Sequence, residues 1–376
     1  MLYRLLGAVF IFFAAVAPAR AEIATTANHA LIMDAESGEV LWAKDAYVPM
    51  PPASMSKLMT VELLFQRLRD GRVKLGSTFP VSERAWRERS GSEMFVNIGD
   101  HISVESLIRG IVIQSGNDAC VVVAEALGGT VEGFVAMMNK RAAELGLKHS
   151  HFVNPDGLDQ PPGQMMSAFD LASLARHLIR DYPAYYHYFG EREFVWTNIH
   201  QPNRNPLLGK VEGADGLKTG HLEASGYGLV GSASRNGQRL IVVANGFGSE
   251  KDRADEGARL MEAGFREFRR YTLFKPGDVV AKAYVFGGAL PTAELTVKAP
   301  VTLTLQVDSR NSLKVAAHFS EPLRAPLAQG RQVGTLDISA PDFPGLSVPL
   351  YVNQPVDEVG FFGRIVLGVK ALFGGA

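Results

Sequence analysis

At Lys275-Pro276-Gly277 the chain changes character, and that change constrains its fold more than any other feature. Ahead of it, helical and strand signals alternate. Beyond it, to Val352, nearly everything reads as short strands: Val279–Val285, Glu294–Val297, Val301–Val307 and Leu346–Val352, with period-2 alternation in Thr302-Leu303-Thr304-Leu305-Gln306-Val307. The pattern predicts a larger α/β (α+β) unit over residues 22–274, with helices around an antiparallel sheet, and a small all-β domain over 275–353. In the first part, Ala30–Asp34 and Glu39–Trp42 flank the turn Ala35-Glu36-Ser37-Gly38 and read as a hairpin. Ser54 opens a helical pattern that Gly71 closes, and helical signals dominate from Val104 to Leu145. Asn154-Pro155-Asp156-Gly157 is a loop, and Asp170–Ile179 a helix. Asn236-Gly237 predicts a type I′ turn between strands Gly226–Ser234 and Arg239–Gly246, before a helix with Leu260, Met261, Phe265 and Phe268 on one face.

Two end segments stand apart. Residues 1–21 carry Arg4, an apolar run from Leu5 to Val16 and the A-x-A string Ala19-Arg20-Ala21, the pattern of a cleaved export leader that leaves Glu22 as the new N-terminus. At the other end, 357–376 is expected to form an amphipathic helix. Phe362, Ile365, Val366, Val369, Leu372 and Phe373 fall at helical spacing, and Arg364 and Lys370 lie off that stripe. It is too short and too rich in Gly to span a bilayer, but suits a membrane interface; packing on its own β-domain is the other reading.

Composition excludes several classes. Loss of the leader leaves 36 Lys and Arg against 39 Asp and Glu, a net charge of about −3, which gives no reason to expect a nucleic-acid partner. The one cysteine, Cys120, cannot form an internal disulfide, so stability must come from packed cores. Cys120 lies in Ala119-Cys120-Val121-Val122-Val123 and reads as a buried small apolar residue rather than a nucleophile. The nine histidines form no metal set; His149 and His151 read as a surface loop. No metal or cofactor is expected.

Three short strings carry the chemistry: Ser54-Met55-Ser56-Lys57, Ser115-Gly116-Asn117 and Lys218-Thr219-Gly220, or S-x-x-K, S-x-N and K-T-G in order. Each alone is common; the ordered set, each in a suitable local context, is specific. A serine hydroxyl needs a base within reach, and Ser54 and Lys57 are i and i+3 on one helix face. Lys57 serves as a base only when neutral, a state that burial and a second cation such as Lys218 favour. Ser115 sits between helical runs, where its hydroxyl can relay a proton to a leaving amine and the Asn117 amide can hold Lys57 or substrate. The Lys218 cation and Thr219 hydroxyl suit a carboxylate, Gly220 allows close approach of an extended peptide, and the N–H groups of Ser54 and His221 can form an oxyanion hole. Taken singly, Ser54 also reads as an N-cap and Ser115-Gly116-Asn117 as a turn.

The strings Pro52-Ala53-Ser54-Met55-Ser56-Lys57-Leu58-Met59-Thr60, Leu107-Ile108-Arg109-Gly110, Gln114-Ser115-Gly116-Asn117-Asp118-Ala119-Cys120 and Asp215-Gly216-Leu217-Lys218-Thr219-Gly220-His221 resemble the low-molecular-mass penicillin-binding proteins, specifically the D-alanyl-D-alanine carboxypeptidases of the DacA type. The resemblance covers essentially the chain beyond the leader. It implies an acyl-enzyme on Ser54 with Lys57 as base, a site completed by Ser115, Asn117 and Lys218, and Arg253 as partner of the terminal carboxylate. It further implies peptidoglycan stem peptides ending in D-Ala-D-Ala as substrate, β-lactams as acylating inhibitors, and a periplasmic enzyme attached to the outer face of the inner membrane. Leu222 stands where that family often has Thr, and Glu223-Ala224-Ser225-Gly226 departs from its usual Ala-Gly approach to the strand. A DD-endopeptidase, a class A-like β-lactamase and a non-catalytic β-lactam- or wall-binding protein remain open alternatives. Against the β-lactamase, no E-x-x-L-N string lies between Asn117 and Lys218.

Overall fold

The computed structural model describes residues 23–88, 91–341 and 343–360. The leader and the tail stripe from Phe361 lie outside these residues. The expected hairpin forms as β1 (His29–Asp34) and β2 (Val40–Lys44). A 3₁₀ turn, Ala53–Ser56, runs into α1 (Lys57–Arg69). The helical stretch resolves into α2 (Val104–Val112), α3 (Asn117–Gly128) and α4 (Val131–Glu144), followed by α5 (Ala168–Asp181). Then come β3 (Ala214–Leu222), β4 (Gly226–Arg235), β5 (Gln238–Phe247) and α6 (Glu250–Glu267). Side-chain caps start four of these helices: Ser103 accepts from Ser106 N, Thr130 from Gly133 N, Ser167 from Asp170 N and Ser249 from Asp252 N. Asn236 and Gly237 have φ of 50° and 78°, the left-handed pair that a type I′ turn between β4 and β5 requires.

The five strands form one antiparallel sheet in the order β2-β1-β5-β4-β3. Alternation divides its residues between two cores. Leu31, Met33, Ile241 and Val243 face a large core shared with α1, α3 and α5, whereas Ile32, Leu240, Val242 and Ala244 face Leu260 and Met261 of α6. With both faces covered, the central strands read as continuous apolar runs. Cys120 is fully buried, as its neighbours predict.

Beyond α6 the described residues are strands broken by one 3₁₀ turn, Asp308–Ser312: β6 (Phe268–Phe274), β7 (Ala281–Phe286), β8 (Thr292–Thr296), β9 (Val301–Gln306), β10 (Lys314–Phe319), β11 (Leu323–Arg324), β12 (Gln332–Ala340) and β13 (Phe343–Val352). Six strands form a sheet in the order β10-β12-β13-β8-β7-β11, and β6 pairs with β9. Phe268, expected on the apolar face of α6, instead opens β6. The change in pairing thus falls at Glu267, ahead of Lys275-Pro276-Gly277, because Arg270, Tyr271 and Thr272 continue as a ladder opposite Thr302–Thr304. Thr304 Oγ1 donates to the buried Asp34 Oδ2 at 2.7 Å and fastens this ladder to the first hairpin.

Candidate active site

The turn that carries Ser54 is held from three sides. Ala53, at φ 51°, bends the chain out of Pro51-Pro52 into the 3₁₀ turn that presents Ser54. Gly220 of β3 passes so close that a Cβ there would meet Pro52 O at 2.9 Å and Ala53 Cβ at 3.0 Å. Gly157, at φ 86°, packs against Ala53 O from the loop side, and Gln164 Nε2 donates to Ser56 Oγ at 2.9 Å. Ser54 is not the cap of α1. That position is Ser56, whose side chain caps nothing, and Ser54 Oγ faces Lys57 instead.

Lys57 is fully buried, and its Nζ has three oxygen partners: Ser54 Oγ at 2.9 Å, Asn117 Oδ1 at 2.6 Å and the main-chain carbonyl of Asp156. A neutral amine has two N–H donors and one lone pair. The two carbonyl-type oxygens can only accept, so they take the donors, and the lone pair is left for the Ser54 hydroxyl proton. Burial is the leading cause that lowers the Lys57 pKa, with Arg204 also lowering it against the opposing pull of Cys120, Asp156 and Asp118. Arg204 is thus a cation near Lys57 that the sequence did not point to, and the expected Lys218 is coupled to Lys57 by the same like-charge repulsion. The Cys120 thiol is pushed up to about 12 by burial and stays protonated.

The second string is built by its neighbours. Ser115 sits at φ 64°, a left-handed conformation unusual for a residue with a Cβ and typical of sites that hold local strain. Asp118, which the sequence reading assigned no role, accepts from Met94 N at 2.8 Å and Val96 N at 3.1 Å, and Asn117 N donates to Ser92 O at 2.8 Å. These bonds fix segment 91–96 against the start of α3. Across the cleft, Lys218 Nζ donates to Ser115 Oγ at 2.9 Å and to Thr219 O at 3.2 Å. Burial, then Lys57, lowers the Lys218 pKa well below its ordinary value, and an anion bound beside it would favour its charged form.

A cleft of about 400 Å³ opens beside these groups, lined in part by Ser54, Ser115, Thr219, Gly220, His221 and Arg253. Arg253 comes from the first turn of α6. One end of its guanidinium donates to Glu250 Oε1 at 2.5 Å, and its buried Nε has no partner among the described residues. The ring of Tyr227 lies between His221, stacked at 3.9 Å, and the Arg253 guanidinium at 5.6 Å. His221 and Tyr227 are cross-strand partners of β3 and β4, which sets this order. The structure thus brings all nine expected residues, Ser54, Lys57, Ser115, Asn117, Lys218, Thr219, Gly220, His221 and Arg253, around one cleft and its buried wall. Sequence reasoning missed the Asp156 carbonyl, Asp118, Arg204 and Tyr227. Asn154-Pro155-Asp156-Gly157 was legible as a turn, but nothing in a turn signal says which carbonyl meets a lysine 99 residues away.

A family model described as D-alanyl-D-alanine carboxypeptidase matches residues 14–247. The chain belongs to this D-alanyl-D-alanine carboxypeptidase family. A second model, the C-terminal domain of penicillin-binding protein 5, matches residues 268–358 and starts where β6 does. D-alanyl-D-alanine carboxypeptidase DacC of Escherichia coli is 38% identical over 345 residues, covering 89% of this chain and 85% of the relative. The crystal structure of penicillin binding protein 5 from Haemophilus influenzae superposes with a TM-score of 0.77 at 34% identity, covering 89% of this chain and 98% of that one. Penicillin-binding protein D2 from Listeria monocytogenes, in its ampicillin-bound form, matches at TM-score 0.59 and 29% identity, covering 64% of this chain and 98% of that one. The carboxypeptidase family thus accounts for both the helix-and-sheet unit and the strands after it.

Proposed function

We propose that this chain is a serine D-Ala-D-Ala carboxypeptidase that removes the terminal D-Ala from peptidoglycan pentapeptides. The observation that carries the reading is Lys57 Nζ, buried and within reach of Ser54 Oγ. Ser54 Oγ attacks the carbonyl of the penultimate D-Ala as Lys57 takes its proton. The N–H groups of Ser54 and His221 receive the oxyanion. Ser115, hydrogen-bonded to Lys218, passes a proton to the leaving amine and is reprotonated with the proton that Lys57 took from Ser54, so free D-Ala departs and Lys57 is neutral again. Lys57 then draws a proton from water, which attacks the ester and releases the shortened peptide. Lys218, Thr219 and Arg253 hold the substrate's terminal carboxylate, and Asn117 fixes Lys57. A β-lactam enters by the same attack. Its ring amide opens, but the leaving nitrogen stays tethered and the ester persists.

The leader supports export to the periplasm. The division we favour keeps a leader at 1–21 and an amphipathic tail over 357–376, and ends the catalytic unit at Glu267, where β6 begins the β-rich unit, rather than at 274. The tail's apolar stripe supports peripheral attachment to the outer face of the inner membrane. Val356 is buried and pairs with Leu327, so a cut that tests the tail belongs after Gly360.

The deciding assay is turnover of an acylated tripeptide ending in D-Ala-D-Ala, alongside covalent labelling by a fluorescent penicillin. Wild-type protein should release D-Ala and take the label, and Ser54→Ala should do neither while keeping its fold. A label that persists on Ser54→Ala, or maps by mass spectrometry to Ser115, overturns the assignment. Labelling without turnover would favour a non-catalytic β-lactam-binding protein.

A further inference from the structure

In the β-rich unit, large exposed apolar side chains gather in one place. Tyr284 is 66% exposed, Phe286 55% and Leu290 52%. Tyr284 and Phe286 are two residues apart on β7 and share its outward face, while Ala283 on the other face is fully buried in the core. Folding needs only the inward face of such a strand. The outward row reads Lys282, Tyr284, Phe286, and in-register Arg324 lies beside Phe286 on β11. Leu290 lies in the connection from β7 to β8.

The chain also leaves the described structure at this point. Val359 N donates to Gly287 O at 2.9 Å, Ala289 N donates to Asp357 O at 2.8 Å, and Gly288 bridges Glu358. The last described residues are therefore stitched to the turn that carries Phe286 and Leu290. The apolar sequence from Phe361 begins one residue beyond Gly360. A residue spans at most about 3.6 Å, so a tail lying in a lipid interface from Phe361 onward brings this turn to the same interface.

We propose that the β7–β8 turn is a second membrane contact, made by the folded domain itself. Phe286 and Leu290 enter the lipid interface, Tyr284 sits at headgroup depth, and Lys282 and Arg324 meet lipid phosphates. Two attachment points, one on the tail and one on the domain, fix the orientation of the β-rich unit rather than tethering it loosely. The inference rests on the tail-attachment reading above.

The test uses the mature full chain with vesicles of phosphatidylcholine, alone and with added phosphatidylglycerol. Vesicle partitioning of the double variant Phe286→Ser, Leu290→Ser should fall by roughly tenfold, the scale of two partly buried large apolar side chains. Its thermal midpoint and its turnover of a soluble tripeptide should match wild type. Truncation after Gly360 should abolish partitioning. A polarity-sensitive fluorophore on Leu290→Cys, with the native Cys120 buried, should shift to the blue when vesicles are added. If truncation abolishes binding but the double variant binds like wild type and the fluorophore does not shift, the turn contact is wrong and tail attachment stands. If the wild-type chain does not bind at all, both readings fall. The exposed turn is then covered by the tail itself, and amide exchange over 284–290 would speed up on truncation.

Discussion

Lys218 Nζ lies 2.9 Å from Ser115 Oγ, although 103 residues separate them. The contact joins β3 to the start of α3 and so closes the cleft opposite Ser54. It couples the group proposed to hold a carboxylate to the hydroxyl proposed to relay a proton.

Carboxylate recognition can be read from that coupling. A tripeptide whose terminal D-Ala is amidated should be a much poorer substrate than the free acid. Arg253→Ala should lower kcat/KM for the acid by about 10- to 100-fold, the worth of a lost charge-assisted hydrogen bond, and leave the amide nearly unaffected. Equal turnover of acid and amide by wild-type protein would point instead to an endopeptidase, which cleaves where no free terminus exists.

Lys57 makes a prediction about pH. Burial holds its pKa below the ordinary lysine range, so the neutral fraction grows as pH rises through that lowered value. Acylation by a penicillin should therefore climb with pH on its acid limb. Lys57→Arg, which keeps the charge and cannot deprotonate, should lose about 10²–10⁴ in acylation rate and lose the limb with it. Stopped-flow labelling across pH measures both.

Gly220 should tolerate no side chain. A Cβ would meet Pro52 O at 2.9 Å and Ala53 Cβ at 3.0 Å, both beside Ser54. Gly220→Ala must push β3 and the Ser54 turn apart, and a displacement of that order costs about 10²-fold in rate. The expected result is slow acylation with a thermal midpoint close to wild type.

Stability has its own marker in Glu62, fully buried on α1. Burial alone would raise its pKa. Hydrogen bonds from His177 at 3.1 Å, Arg141 at 2.9 Å and Tyr182 at 3.0 Å outweigh that and hold it below the ordinary glutamate value. The unfolded chain binds this proton more readily, so the contribution is complete above the ordinary carboxylate range and is lost as pH falls through the folded value. Glu62→Ala removes the buried acceptor shared by Arg141, His177 and Tyr182, leaving Arg141 on Glu144 and His177 on Asp181, and should cost about 2 kcal/mol, measured as a lower denaturant midpoint with an unchanged slope.

The sequence showed the sheet and its helices because their signals are local. Asn236-Gly237 marks a turn by backbone preference, and the apolar runs of β4 and β5 mark strands covered on both faces. The three strings named the candidate site side chains for the same reason, since Ser54 and Lys57 lie three residues apart where a 3₁₀ turn, rather than the expected single helix, runs into α1. What stayed hidden is contact between distant segments through main-chain atoms. Asp118 organises 91–96 through N–H groups that carry no residue identity. The placement of Phe268 failed because an apolar residue after a helix fits its stripe and the next strand equally well.

The Asp156 carbonyl that holds Lys57 is a main-chain atom, and this limits how the site can change under antibiotic selection. No side chain introduced at position 156 deletes that acceptor. Weakening the base through this contact has to pass through backbone displacement of the 154–157 loop. Gly157, where a Cβ would run into Ala53 O, and Gln164, which bonds Ser56, are the positions that set where the loop rests. A change at either also moves the turn that presents Ser54, so resistance gained by this route would be taken out of the enzyme's own wall-trimming rate.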